Sequence, residues 1–267
     1  MTERKLKLKS GYEMPVLGLG TWKLTGKDCE KTVAQALEMG YIHIDTAEMY
    51  ENEQEVGEGI KGADRSKIFI TSKVAKSHLK KNDVIEACQR SLDKLGTDYL
   101  DLYLVHWPND DIPIEETMQA MEELVDKKMI RSCGLSNFDV SRIKKAQEAA
   151  QIPICNLQIE FHPFTNRHEL PQYCKEQGIA ITAYSPLARG EVFEDETLKE
   201  IAEKHSKTPS QVSLKWLIQN GHIVIPKASS EKHLRENMEL DWELSCEDMK
   251  KIDNIKKDER LIDKKYT

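Results

Sequence analysis

Residues 41–50 read YIHIDTAEMY, and the first five of them decide the fold. A short apolar run ends on a carboxylate, Asp45, and a tyrosine, Tyr50, follows five residues later. Two further runs end the same way: KIFITSK at 67–73 closes on Lys73, and LDLYLVHW at 100–107 closes on His106 and Trp107. Short apolar runs rich in β-branched and aromatic residues, bounded by polar loops, have the pattern of buried strands. A carboxylate, an amine, a phenol and an imidazole so placed meet only if the runs are neighbouring parallel strands whose C-terminal ends open on one site.

The same rhythm extends through the chain. Strand-like runs occur at VLGLG (16–20), IRSCGLS (130–136), ICNLQIE (154–160), IAITAYS (179–185) and HIVIPK (222–227), which with the first three make eight. Helical patterns separate them at 27–40, 54–62, 82–96, 114–128, 139–150 and 168–178, with a pair at 196–205 and 208–221. Asn82-Asp83 and Thr208-Pro209 read as helix starts, and Gly40, Gly96, Gly178 and Gly221 as stops. KLKLKSGYEMPVL at 5–17 alternates around Ser10-Gly11 as a short hairpin does. Eight strand–helix repeats without a linker predict one (β/α)8 barrel domain over residues 1–267, preceded by an N-terminal hairpin. A doubly wound open sheet would carry GxGxxG after its first strand, whereas LGLGTW lacks the third glycine and leads into a polar loop.

Composition narrows the function. A net charge of −7 argues against a nucleic-acid surface. No apolar stretch reaches the roughly 18 residues of a membrane span, and MTERKLKLKS lacks an apolar signal core. The six cysteines form neither a CxxC pair nor a His/Cys cluster, so buried reduced thiols, no structural metal and a cytoplasmic protein are expected. The C-terminal strand ends deliver Thr21, Trp22, Asp45, Lys73, His106, Trp107, Ser136, Asn137, Gln158, Tyr184, Ser185 and Lys227 to one rim.

In those segments the chain resembles the aldo-keto reductase family. MPVLGLGTW, HIDTAEMYENEQEVG, IFITSK, LDLYLVHWP, GLSNF, NLQIEFHP, AYSPLARG and IPKASSEKHLRENMEL occur in the family's order and at compatible spacings, covering nearly the whole chain. The resemblance implies a nicotinamide-dependent carbonyl reductase, with catalytic roles for Asp45, Tyr50, Lys73 and His106. Carbonyl reduction needs a hydride at carbon and a proton at oxygen. A phenol is a weak donor at its ordinary pKa of about 10, and an ammonium beside it lowers that value. Tyr50 is therefore assigned as proton donor, Lys73 as the group that tunes it, and Asp45 as the anchor that keeps Lys73 charged. His106 reads as a hydrogen-bond donor to the carbonyl oxygen or as a direct participant in proton transfer. His43, His78, His205 and His222 match no catalytic segment and are read as structural or solvent-facing.

The resemblance further implies that Tyr184 stacks on the nicotinamide, with Ser136, Asn137 and Gln158 on its carboxamide. Ser185 and Leu187 lie along the pyrophosphate, with Thr21 and Asp45 also at the cofactor. Glu236 and Asn237 match the adenine side. The phosphate-recognition segment departs from the family's Lys-Ser, four residues, Arg pattern: it reads Lys227-Ala228, four residues, His233. Ser229 or Ser230 replaces the missing hydroxyl, but His233 lacks the guanidinium fork, so NADP(H) is expected to be preferred and NAD(H) also used. Trp22 and Trp107, beside Tyr50 and His106, form apolar substrate walls. WPNDDIPIEETM reaches its helix quickly and little chain follows LSCEDMKK, as in a short, prokaryotic-like member with reduced loops and an open site for small carbonyl substrates. The family expectation is a monomer. The alternative is a nicotinamide-binding sensor or auxiliary subunit with slow turnover and a durable partner complex.

Overall fold

The computed structural model describes residues 4–165, 169–257 and 259–262. Residues 1–3, 166–168, 258 and 263–267 of the expected domain lie outside these, among them His168, the first residue of one expected helix. The hairpin forms as read. β1 (Lys5–Lys7) pairs antiparallel with β2 (Glu13–Pro15), and the turn closes where Gly11, at φ +92°, donates to the Leu8 carbonyl at 2.9 Å.

Eight parallel strands follow in sequence order: β3 (Leu19–Gly20), β4 (His43–Asp45), β5 (Phe69–Val74), β6 (Leu102–Val105), β7 (Cys133–Ser136), β8 (Ile154–Glu160), β9 (Ala180–Tyr184) and β10 (Ile223–Val224). The first and last runs continue their ladder beyond these short strands and close the ring. Gly18 N–H donates to the Val224 carbonyl at 2.9 Å, Val224 N–H to Val16 at 2.9 Å, and Gly20 N–H to Pro226 at 3.2 Å. Closure brings the two backbones so near that a Cβ on Gly20 would lie 2.6 Å from the Ile225 carbonyl oxygen. The glycines of VLGLG thus mark the barrel seam, not a phosphate-binding turn.

Helices α1 (Gly26–Glu38), α2 (Glu53–Ile60), α3 (Lys81–Leu95), α4 (Ile114–Asp126), α5 (Val140–Ala149) and α6 (Glu169–Glu176) each connect successive strands; the pair α7 (Glu196–His205) and α8 (Pro209–Gln219) connects the last two. Thr208 and Gln211 form a reciprocal capping box with Pro209 at the first helical position, as the sequence signals. Gly96, at φ +64°, ends α3. Its start differs from the reading: the helix begins at Lys81 behind Lys80, and Asp83 falls in its first turn, where a carboxylate complements the helix dipole. Helices α9 (Glu231–Met238) and α10 (Cys246–Asp253) were absent from the helical patterns; each is only eight residues and opens on a serine cap, Ser230 and Ser245.

The strand period of two sorts side chains into two compartments. On β6, Tyr103 and Val105 join the large core between sheet and helices, while Leu102 and Leu104 face into the barrel with Phe69, Cys155 and Ile223. Leu8 and Met14 of the hairpin close this inner apolar layer from below. Above it lies a polar layer, with His43 Nε2 3.2 Å from Thr71 Oγ1 and Asn156 donating to Thr182 at 2.9 Å. Burial, then the charge of Lys73, holds the His43 imidazole down at about 3, so it packs as a neutral ring. Five of the six cysteines are buried free thiols and Cys246 is exposed. Among the described residues no helix is long and apolar enough to cross a membrane.

The seam is testable by Gly20→Ala. The added methyl meets a backbone oxygen that cannot move without opening the ring, so urea unfolding should show a loss of about 1–3 kcal/mol, the usual cost of overpacking.

Candidate active site

The topmost interior layer is charged. On β5 the inward positions after Phe69 and Thr71 bring Lys73 inside, and on β4 the inward position after His43 brings Asp45 beside it. Lys73 Nζ donates to Asp45 Oδ1 at 2.6 Å and to the Thr46 carbonyl at 2.8 Å, and lies 3.3 Å from the Tyr50 hydroxyl. Neither member of the ion pair is more than 1% exposed. Burial works to discharge Lys73, but Asp45 and Tyr50 together outweigh it, leaving the ammonium above its ordinary value. Burial pushes Asp45 upward in turn, while Lys73 and the Gln158 amide, donating to Asp45 Oδ2 at 2.7 Å, pull it back.

The expected lowering of the Tyr50 pKa does not survive. Burial raises the phenol above its ordinary value; Lys73 works against the rise, and Asp45 adds to it. Dehydrating a phenolate in this crowded corner costs more than one neighbouring ammonium returns. Tyr50 is therefore a protonated phenol throughout the neutral range. Its ring stands edge-on to His106, with centroids 5.6 Å apart. Burial and then Lys73 hold His106 well below the ordinary imidazole range. The ring is neutral near pH 7, which removes an imidazolium from the candidate proton sources.

Asp45, Tyr50, His106 and Gln158 line a cavity of about 760 Å³ at the C-terminal mouth of the barrel, and Lys73 lies buried behind them. Trp22 and Trp107 form walls as expected; Trp22 is 41% exposed, and Trp107, stacked on His106, is buried. Thr21, Asn137, Gln158, Tyr184, Ser185, Leu187 and Lys227 also reach it. Several of them hold one another. Thr21 Oγ1 donates to the Asp45 carbonyl at 3.0 Å, tying the ends of β3 and β4 together. Asn137, in the left-handed region at φ +64°, donates to the His106 carbonyl at 3.0 Å and accepts from the Tyr184 hydroxyl at 2.7 Å. Ser136 does not line the cavity; it sits behind Asn137, whose amide donates to its hydroxyl at 3.0 Å.

The remaining predicted residues lie apart from the cavity. Ser229 and His233 are exposed at the start of α9, where Ser230 is engaged as the cap and accepts from the His233 N–H at 3.3 Å. Of the two serines proposed to replace the missing hydroxyl, Ser229 is thus the one not used as a cap. Glu236 accepts from Thr208 at 2.7 Å and Ser210 at 2.5 Å beside a surface groove of about 690 Å³, and Asn237 is 4% exposed.

Sequence reasoning missed part of the lining. Arg189 stood in SPLARG, which was read only for Ser185 and Leu187, and its guanidinium lies 5.4 Å from the Trp22 ring, with Lys23 Nζ at 4.6 Å. Met49 and Phe193 add exposed apolar rim. Little chain follows to make a long lid, as read, but Leu261 and Ile262, which the reading did not place at the site, return to line the cavity. Their N–H groups donate to Glu160 Oε1 and Oε2 at 2.7 and 3.2 Å, at the end of β8, and His162 Nε2 lies 3.1 Å from Oε1. The loop after His106 is short as read, with α4 starting at Ile114.

The charged residues lining the cavity are Lys23, Arg189, Lys227 and Asp45, the last neutralised by Lys73. A mouth with three cations and an aromatic floor suits a phosphate-bearing aromatic cofactor, so the donor set fits a nicotinamide dinucleotide.

A barrel of this topology with its polar groups gathered at the C-terminal strand ends has the layout of a (β/α)8 enzyme. The family model described as "Aldo/keto reductase family" matches residues 16–257, and the chain belongs to that family of oxidoreductases. It is 45% identical over 261 residues to a glyoxal reductase of Bacillus subtilis (strain 168), covering 96% of this chain and 94% of that protein. It is 37% identical to an NADPH-dependent D-xylose reductase of Meyerozyma guilliermondii, covering 93% of each. Among solved structures, MGS-M4, an aldo-keto reductase enzyme from a Medee basin deep-sea metagenome library, superimposes with a TM-score of 0.94 at 38% identity over 97% of each chain.

The Asp45–Lys73 pair is testable by a double-mutant cycle. Lys73→Met alone strands a buried carboxylate and should cost about 3–5 kcal/mol in chemical denaturation. Lys73→Met with Asp45→Asn should recover a substantial part of that loss.

Proposed function

We propose that the protein reduces aldehydes and ketones to alcohols with NAD(P)H, Tyr50 being the proton donor. The observation that carries this reading is the 3.3 Å approach of the Lys73 ammonium to the Tyr50 hydroxyl beside a cavity with three cations at its mouth. When bound, the nicotinamide supplies the hydride. Tyr184, Asn137 and Gln158 would hold its ring and carboxamide, Ser185, Leu187 and Arg189 its pyrophosphate, and Lys227, Ser229 and His233 its 2′-phosphate. Ser136 would act through Asn137, and Thr21 through Asp45.

The upward displacement of Tyr50 changes the role of Lys73 rather than removing it. A donor must first carry its proton, and burial keeps the phenol protonated. As the proton moves to the carbonyl oxygen, negative charge develops on the Tyr50 oxygen, and the ammonium stabilises it there. Interactions that strengthen with developing charge accelerate the step. Neutral His106 donates a hydrogen bond to the carbonyl oxygen and orients it. Asp45 prevents Lys73 from shedding its own proton.

Trp22, Trp107 and the apolar rim suit small carbonyl compounds, and the similarity to a glyoxal reductase supports α-dicarbonyls among them. NADPH is preferred through Lys227, with discrimination relaxed because His233 replaces the guanidinium fork. The similarity to an NADPH-dependent reductase supports the direction of the preference.

Following NADPH oxidation against glyoxal and a panel of small aldehydes and ketones tests the reaction. Tyr50→Phe should lower kcat by about 100-fold or more, the usual contribution of a general acid. Because reduction requires the protonated phenol, and its pKa lies above the ordinary value, kcat should hold level through neutral pH and decline only on the alkaline side; no acid limb should appear near pH 6.5, since His106 is already neutral there. His233→Arg should raise the ratio of kcat/KM for NADPH over NADH by roughly tenfold, the equivalent of one charge-assisted contact.

A further inference from the structure

We propose that Glu48 is a positioning residue for the reduction: its carboxylate clamps the turn carrying Tyr50 onto the end of β5, and so holds the phenol within reach of Lys73. The inference rests on the reading of Tyr50 as proton donor.

The turn has little apolar anchorage of its own: the Tyr50 ring stands edge-on to His106 and buried Ala47 precedes it, but nothing else in it packs. Tyr50 belongs to a single 3₁₀ turn, Glu48–Tyr50, in which Glu48 and Tyr50 are half-buried, the phenol being covered on the side facing Lys73, and Met49 at its centre is 49% exposed. The chain leaves the turn through Glu51 in the left-handed region, φ +54°. Two local bonds, Tyr50 N–H to the Ala47 carbonyl at 2.9 Å and Glu51 N–H to the Glu48 carbonyl at 3.2 Å, shape the turn but do not place it. Placement comes from its flanks and from Glu48. Before the turn, the Thr46 carbonyl accepts from Lys73. After it, Asn52 accepts from Thr46 at 2.8 Å and donates to the Thr21 and Leu24 carbonyls at 2.9 and 2.8 Å.

Between these points two side chains reach the end of β5, the Tyr50 hydroxyl at Lys73 and the Glu48 carboxylate. Its Oε2 accepts from the Ala75 N–H at 3.0 Å, while Oε1 lies 2.9 Å from His78 Nδ1 and 3.3 Å from Arg90 Nη2 of α3. Ala75 stands two residues beyond Lys73. Its neighbour Val74 accepts from the His106 N–H at 3.1 Å, so the donor, the ammonium and the imidazole are all referenced to one strand end. Burial opposes ionisation of Glu48, but the Ala75 N–H, His78 and Arg90 together hold it below its ordinary value. It is an anion at neutral pH, and hydrogen bonds to an anion are the stronger kind.

The test compares the wild-type chain with Glu48→Ala, Glu48→Gln and Tyr50→Phe, using glyoxal and NADPH. Displacing a reacting group by about 1 Å costs on the order of 100-fold, so Glu48→Ala should lose roughly 10- to 100-fold in kcat with KM little changed. Its alkaline limb should move to higher pH, because a phenol further from Lys73 loses part of the charge that opposes the rise. Glu48→Gln keeps an acceptor for Ala75 N–H and should recover most of kcat. If Tyr50→Phe retains turnover, the reading of the donor fails. If Tyr50→Phe is inactive while Glu48→Ala keeps the wild-type kcat and limb, only the role of Glu48 fails. A loss of kcat with the limb unmoved is the signature of general loosening and also overturns the proposal. Should Glu48→Ala not fold, His78→Ala with Arg90→Ala strips the outer partners of the carboxylate; a lower kcat with a shifted limb then supports the clamp, and wild-type behaviour overturns it.

Discussion

An ammonium and a carboxylate, both sealed from water, meet at 2.6 Å inside the mouth of the barrel, and the arrangement of the site follows from keeping them together. Two such charges are stable in a protein interior only when each is paired and its remaining hydrogen-bonding capacity is used. Here Lys73 spends its other contacts on the Thr46 carbonyl and the Tyr50 hydroxyl, and Asp45 spends its second oxygen on Gln158. Three strands, β4, β5 and β8, are thereby bound to one point across the barrel. A charge that needs this much support is also a charge that cannot wander, and that fixity is what a proton-transfer site requires.

The pair is held where it is by closure of the sheet. Interior positions of β4, β5 and β8 face one another because the ring is complete, and the ring is complete because Gly20 lets the first run pass against Ile225. The layers below are apolar and then neutral-polar, which raises the cost of moving charge downward and leaves the top layer as the one place for it. The same dehydration that makes the ion pair necessary lifts the phenol of Tyr50 and depresses the imidazole of His106. One physical cause therefore sets the protonation of both: a loaded donor and a neutral ring beside it.

Two features outside that layer complete the mouth. The Tyr50 turn packs only through its ring against His106, and polar contacts from Asn52, Lys73 and Glu48 complete its attachment. The C-terminal segment at 259–262 is brought back by Glu160, a fully buried carboxylate that accepts the N–H groups of Leu261 and Ile262. In both cases a carboxylate captures backbone donors, fixing a short irregular segment that packing alone would leave loose.

Much of this was legible beforehand. Eight apolar runs ending in polar residues pointed to the barrel and its shared rim, because a period of two and the position of a strand end are local properties of the chain, while roles for Asp45, Tyr50, Lys73 and His106 came from the family resemblance. The capping box at Thr208 and the stop at Gly96 were local for the same reason. Other matters were decided only by tertiary structure. The direction of the Tyr50 shift depends on how completely the corner is dehydrated, which no local pattern encodes. Arg189 entered the site through a left-handed loop, at φ +51°, and Leu261 and Ile262 through a contact with a residue about a hundred positions away. Glu48 lies between two residues that the sequence made conspicuous, yet its partners Ala75, His78 and Arg90 come from a neighbouring strand end and helix. The sequence determined most of the groups that the strand ends bring to the rim, since strand periodicity carries that information; distance, dehydration and the loop residues that join them were left to the folded chain, since each depends on groups far apart in sequence.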